Sequence, residues 1–349
     1  MQVAFSAGCD FACFRLNFRV ATAHSHAITG QKWLVMIVRF LCQHLLKTAR
    51  SRIARPAVGG IPPTAQARGR LESIVEAFMD GFQAAVGGKY SRAQSEEVPR
   101  PLHGFWFEGA AMGVVLRDWL VPWKRAGWER LLGETGEHIY MLHVGAGWAM
   151  ARVPIDVDKT IARFDPLLRW LLVDGYGFHE TFFHPERVLH GQPHPRRVRG
   201  YAKRAFDQGV GRAMWFASGA NVRAIVDALA KFSAERLPDL WSGVGLASVY
   251  AGGVDVAEIG WLRDRAGTYL PNVAQGAAFA AKARIRAGNL TEQNESACAI
   301  LCGLCASDAA AVTDAALENL PVDGPESAFE IWRRRIQHVF VEKAEPIHL

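Results

Sequence analysis

The chain has 349 residues, half of them hydrophobic, with charges scattered along its length. That is enough for a large core, as one big domain or two smaller ones, and the balance argues for a soluble protein. The net charge of +6 is a nucleic-acid signal only until it is divided along the chain: residues 1–55 hold eight Lys or Arg against the single acid Asp10, and the remainder is near neutral. No nucleic-acid partner is expected.

Residues 1–35 mix Phe, Ala, Cys, His and Arg without the charge, unbroken apolar core and cleavage site of a signal peptide. Trp33 to Leu46 is apolar but carries Arg39, and is too short to span a bilayer. No transmembrane segment is therefore expected. Met36 directly precedes this basic amphipathic run and is a candidate start, the alternative being that residues 1–35 are a genuine arm. The arm as a whole, 1–62, reads as flexible and runs into the loop-forming stretch PAVGGIPP (56–63).

From 63 to 345 the pattern is that of one helical domain. Leu71, Ile74, Val75, Phe78 and Phe82 follow helical spacing, and 85–101 reads as a polar loop. His138–Val144 (HIYMLHV) and Leu171–Val173 are the best strand candidates. Helical spacing returns at Val222, Ile225, Val226, Leu229 and Phe232, with Asn221 as N-cap. Another helix starts after Ser307 and stops before Pro321. The last begins near Pro325 and puts Phe329, Trp332, Ile336 and Val339 on one face, leaving Arg333, Arg334 and Arg335 mostly in water. Cys298, Cys302 and Cys305, at i, i+4 and i+7, share a helix face. Without paired CxxC spacing or a histidine partner they read as buried thiols rather than a metal site, and with Cys9, Cys13 and Cys42 they fit a reducing, cytoplasmic location.

Across this domain six glycines, Gly109, Gly145, Gly175, Gly209, Gly243 and Gly276, recur every 30 to 36 residues, each inside a run of small residues such as VGAGWAMA or QGVGRAM. Such a period marks a repeated supersecondary unit. Gly and Ala are tolerated in helices where two backbones pass close together, so the boxes read as helix-packing seams. The fold class expected is mainly α, a Gly-rich helical array with few short strands. A coarser duplication, AFMDGFQAA (77–85) against AFDQGVGRA (205–213), divides the array into halves of about 70–185 and 200–320 if it holds.

The residue before most lead glycines is polar: Glu108, Asp174, Gln208, Ser242 and Gln275, with His143 two places ahead of Gly145. These either line one cavity, joined by Trp148 and Trp241 from the aromatic supply around the boxes, or cap helix starts. The densest cluster of catalytic residue types is Asp174, Tyr176, His179 and Glu180 in DGYGFHETFFH, where a carboxylate beside an imidazole suits proton transfer. The i, i+5 spacing of its histidines does not match the HExxH of zinc proteases. His184, His190 and His194 lie in a Pro- and Arg-rich segment that reads as a basic exposed loop. Phosphate-binding, hydrolase and diphosphate-binding motifs are absent, and no metal or cofactor is expected.

The boxes FWFEGAAMGVVLRDWL, HIYMLHVGAGWAMARVP, DPLLRWLLVDGYGFHETFF, YAKRAFDQGVGRAMWF, DLWSGVGLASVYAGG and AQGAAFAAKARIRAGN, with VTDAALENLP and IWRRRIQ, resemble the bacterial UnbL-type family over about 65–340. This is the domain-of-unknown-function family 1702 of enediyne gene cassettes. The resemblance implies an accessory protein of polyketide biosynthesis whose partners are an iterative polyketide synthase or its linear polyene product. It carries over no catalytic residue, and it leaves open whether the protein is an enzyme. The rival readings are a non-catalytic scaffold that docks on a synthase through the Arg-rich loop 196–204, and an enzyme acting on isoprenoid chains. Assembly into a homo-oligomer is left open.

Overall fold

The computed structural model describes residues 46–344 except 89, 121–125 and 190–191. Its longer helices are α1 (Ala65–Val86), α2 (His103–Leu120), α3 (Gly127–Glu134), α4 (Ile139–Met150), α5 (Trp170–Phe183), α6 (Ala202–Ala217), α7 (Val222–Leu229), α8 (Leu237–Tyr250), α9 (Val256–Ala266), α10 (Leu270–Arg286), α11 (Glu292–Cys302), α12 (Ala306–Ala315) and α13 (Ala328–Ala344), with two short helices, Arg92–Ser95 and Val157–Ile161, in the longer connections α1–α2 and α4–α5. A further helical stretch, residues 46–54, precedes them. The protein is mainly α, and no strand occurs among the described residues. The expectations for residues 1–45, including Met36, Cys9, Cys13 and Cys42, lie outside the described residues, as does His190.

Both strand candidates are helical. Ile139–Val144 opens α4, and Leu171–Val173 lies in the first turn of α5. Met141 to Met150 and Leu171 to His179 are buried without a break. A helix surrounded by protein is apolar on every side, and a short apolar run cannot by itself be told from a strand. Local chemistry sets many of the ends. Thr64 caps α1 by accepting from Ala67 N at 3.2 Å, Asn221 caps α7 from Ala224 N at 3.1 Å, and Thr291 with Asn294 forms a capping box on α11. Gly303 (φ 63°) then ends α11 in the left-handed conformation. Cys298 and Cys302 are accordingly buried on α11, whereas Cys305 lies beyond the break and is exposed as the N-cap of α12. The three cysteines do not share a face.

The long helices α1, α2, α4, α5, α6, α8 and α10 pack each on the next in that order, and glycine governs every crossing. A Cβ on Gly109 would overlap the Phe78 carbonyl. On Gly145 it would meet the Glu108 carbonyl, on Gly175 that of Val144, on Gly209 that of Asp174, on Gly243 that of Gln208 and on Gly276 that of Ser242. A second set, two residues further on, works in the opposite direction: Gly147 meets the Leu172 carbonyl, Gly177 that of Phe206, Gly211 that of Leu240 and Gly245 that of Val273. Each helix thus lays its Cα hydrogens against a neighbour's carbonyls, contacts that contribute about 0.5–1 kcal/mol each. The crossing of α5 on α6, where the two expected halves meet, is of the same kind as those on either side.

The run closes on itself. Arg70 Nε of α1 donates to the Ala251 carbonyl just past α8 at 2.8 Å, and Arg284 Nη1 of α10 donates to the Pro101 carbonyl just before α2 at 2.6 Å. The segment expected to be a flexible arm is part of the core from residue 46 on. Ala49, Ile53 and Val58 are buried, Arg52 Nη2 donates to the Phe183 carbonyl at 3.2 Å, and Val58 N donates to the Ala217 carbonyl at 2.9 Å. Among the described residues no single helix is long and apolar enough to cross a membrane; the bent pair α11–α12 passes on length and composition only when its two members are joined.

Gly145→Ala, Gly209→Ala and Gly243→Ala should each lower the unfolding free energy by roughly 1–3 kcal/mol or more, because the methyl group meets backbone that cannot move aside. Gly260→Ala on α9, where a Cβ has nothing within 4 Å, should be neutral or stabilise by about 0.4–1 kcal/mol. Denaturant midpoints for the four variants check the contrast, and equal behaviour would contradict it.

Candidate functional site

Because each lead glycine from Gly145 on abuts the carbonyl of the preceding box's pre-glycine residue, the pre-glycine side chains come into register inside the array. Gln208 Nε2 donates to Asp174 Oδ2 at 2.8 Å, and Ser242 Oγ donates to Gln275 Oε1 at 2.8 Å while lying 3.4 Å from Gln208 Oε1. These residues sit in helix interiors and cap nothing. The series is interrupted at Val144, which occupies the equivalent place on α4. Arg212, four residues after Gln208 on α6, spans this gap: its Nη1 is paired with Asp174, and its Nη2 lies 3.9 Å from Glu108 Oε1. Glu108 also accepts from Trp148 Nε1 at 3.0 Å. At the other end Arg333 Nε donates to Gln275 Oε1 at 3.2 Å, and its Nη1 pairs with Asp239 at 2.7 Å and Glu330 at 3.3 Å. Arg204 and Tyr201 complete this end through Asp239 and Glu330.

Arg333 was expected in water and is fully buried, flanked only by half-exposed Arg335 and exposed Arg334. The spacing Phe329, Arg333, Ile336, Phe340 places it on the packed face of α13.

Two apolar cavities flank the Glu108–Arg212–Asp174 group. The first is lined by Val144, Leu171, Asp174, Arg212, Tyr250 and Phe279 among others. The second is lined by Ala49, Phe78, Met112, Phe178 and Phe216 together with Glu108, Trp148, Arg152 and Arg212. Arg212 forms the partition, with Asp174 facing one cavity and Glu108 the other. In the second cavity Trp148 stacks on Phe78 (4.5 Å between centroids) and Phe178 (5.1 Å). Burial pushes the Glu108 carboxyl up to about 7, against the opposing pull of Arg212 and the Trp148 indole. A proton donor or acceptor poised near neutrality therefore faces an aromatic cavity.

Of the four residues in the DGYGFHE cluster, Asp174 belongs to the polar chain and the other three lie elsewhere, on the far side of α5. Tyr176 accepts from Arg197 Nε at 2.7 Å. His179 is buried with Nδ1 3.3 Å from Glu180 Oε1, and its pKa is held well below the ordinary value, first by desolvation and then by Arg152. Desolvation raises Glu180. The cluster is thus not one constellation.

Of the residues expected to line a pocket, Glu108 and Trp148 line the second cavity. Gln208 and Gln275 are in the polar chain. His143 bonds the Ile139 carbonyl at 2.8 Å and packs edge-on to Trp128, while Trp241 stacks on Tyr269. In the Arg-rich loop Arg197 and Arg204 turn inward, His194 pairs with Asp207 at 2.9 Å, and only Arg196, Arg199 and Lys203 are exposed. Among the described residues no group of three or more His, Cys, Asp or Glu is placed to hold a metal ion.

A family model described as a protein of unknown function (DUF1702) matches residues 38–340. The chain belongs to this family. No curated protein and no solved structure matches it.

The sequence reading missed Arg152, Arg212 and Tyr250. For Arg212 a signal existed, a lone cation inside QGVGRAM at i+4 from Gln208. Arg333 was hidden by its neighbours in the RRR triplet.

Arg333→Met should cost about 3–5 kcal/mol, since it leaves Asp239 and Glu330 buried with Arg204 as their one remaining cation among the described residues; a change below 1 kcal/mol in urea unfolding would contradict the pairing. Glu108→Gln tests the raised carboxyl. The folded pKa of about 7 lies above the ordinary 4.5, so the native state holds this proton more tightly, and wild type loses stability as pH rises from about 4.5 to about 7. Stability of the Gln variant minus that of wild type should therefore increase between pH 5 and pH 8, by up to about 3 kcal/mol. A difference that does not change with pH would contradict the assignment.

Proposed function

We propose that this protein binds a long, apolar, unsaturated chain in the second cavity, as an accessory protein of polyketide maturation of the UnbL type. The observation that carries the reading is the cavity's composition: an aromatic wall of Phe78, Trp148, Phe178, Phe182 and Phe216, interrupted by a single carboxyl, Glu108, and two guanidinium groups, Arg152 and Arg212. Small-molecule sites are mostly apolar clefts with a few placed polar groups. Conjugated chains present flat π surfaces that suit offset or edge-on aromatic contacts. Glu108 gives such a site a group that both donates and accepts a proton near pH 7, the requirement for shifting or closing a conjugated system. The rival scaffold reading is weakened in that Arg197 and Arg204 of its docking loop are engaged by Tyr176, Asp239 and Glu330.

Diphenylhexatriene, an uncharged conjugated polyene that fluoresces only out of water, should bind saturably and quench Trp148. Filling the cavity by Val75→Trp should weaken this roughly tenfold or more without unfolding the protein. Absence of saturable binding to folded wild type would overturn the reading. Co-expressed with a polyene-forming synthase, Glu108→Gln should still bind the probe and lower the matured product roughly hundredfold; full product would remove Glu108 from the chemistry.

A further inference from the structure

Most charged side chains on or near the cavities have at least one ionic or hydrogen-bond partner, although Arg212 Nε, Arg284 Nε and Arg333 Nη2 are themselves left unbonded. Arg212 is paired with Asp174 and Glu108, Arg236 with Asp207, Arg284 with the Pro101 and Tyr250 carbonyls, and Arg333 with Asp239 and Glu330. Arg152 differs. It lies just beyond the C-terminus of α4 and lines the second cavity, yet its buried Nε and Nη2 have no hydrogen-bond partner among the described residues. Its guanidinium stands 5.2 Å from the Phe183 ring centroid, against an aromatic wall rather than a carboxylate. The titratable and charged groups around it are His179, Glu180, His184 and Arg197. Of these His179 is held neutral by burial, Glu180 binds its proton more tightly than usual, and Arg197 is taken up by Tyr176 and the Val153 carbonyl. Burial lowers Arg152 itself to about 10, so it remains a cation at neutral pH.

Arg152 is half-buried, and leaving its buried Nε and Nη2 without acceptors costs free energy unless something in the cavity supplies them; its fork geometry matches a planar carboxylate. We infer that Arg152 binds the carboxylate head of the chain, so that the ligand is an amphipathic acid, a released polyenoic acid, with its tail lying along Phe183, Trp148 and Phe178 toward Met112 and Phe216. This rests on the proposed binding of an apolar chain and adds the charge and position of its head. A thioester still attached to a carrier has no free carboxylate and would not satisfy Arg152.

The test uses the full chain and three ligands with one conjugated tetraene tail of eighteen carbons: the free acid, its methyl ester and the corresponding alkyl phosphate, each followed by quenching of tryptophan fluorescence. For wild type the acid should bind at least about tenfold more tightly than the ester. Arg152→Met should bring the acid to the level of the ester, and Arg152→Lys should restore part of the difference. Equal affinity of wild type for acid and ester would overturn the inference and leave the apolar site standing, a comparison that needs no variant to fold. Tighter binding of the alkyl phosphate than of the acid would overturn the carboxylate assignment. Failure of diphenylhexatriene and all three ligands would overturn the apolar-chain reading instead.

Discussion

The protein depends on one contact repeated through its interior, a glycine Cα laid against the carbonyl oxygen of a neighbouring helix. At ordinary helix separations of 8–10 Å, side chains fill the space between axes. Here that space is absent at Gly109, Gly145, Gly175, Gly209, Gly243 and Gly276, and backbone meets backbone. Such crossings give little hydrophobic burial of their own. They set the relative position of successive helices more rigidly than interdigitated leucines would, because the backbone has no rotamers with which to adjust.

That rigidity makes a buried polar chain tolerable. Glu108, Asp174, Gln208, Ser242 and Gln275 are expensive to bury, and only good hydrogen-bond geometry offsets the cost. Since each of the first four has its own carbonyl in, or one residue from, a glycine crossing, its side chain cannot drift relative to the next. The two cavities follow from the same constraint. Helices held by small residues at their midpoints bring their flanking aromatic residues into contact with one another, and Phe78, Trp148, Phe178 and Phe216 form a connected wall beside the space that remains.

The helical array and its seams were legible because their cause is local: small residues at a fixed period. The polar chain was half legible, since position relative to glycine named its members while their alternative as helix caps could be dismissed only once the boxes were seen to lie mid-helix. The strand readings at His138–Val144 and Leu171–Val173 failed because a helix buried on all sides has no polar face to reveal its period. The DGYGFHE cluster misled for a related reason. Residues adjacent in sequence on a helix point to different sides, so Asp174 joined Arg212 while Tyr176 and Glu180 turned toward Arg197. Arg152 and Tyr250 carried no sequence signal, as each matters only through what other helices bring, or fail to bring, next to it.

The interruption of the polar series at Val144 has a consequence for proton movement. Had that place on α4 held an amide or a hydroxyl, Glu108 would have been joined to Asp174 and onward through Gln208 to Ser242 by groups that both give and receive protons. Valine removes the relay, and what touches Glu108 instead is a guanidinium and an indole, both donors with no lone pair to offer. The carboxyl is thus insulated from the rest of the interior. Whatever proton it gains or loses passes to or from the molecule or water in the cavity it faces, so the fold sets how tightly Glu108 holds its proton while the occupant supplies the route by which it is exchanged.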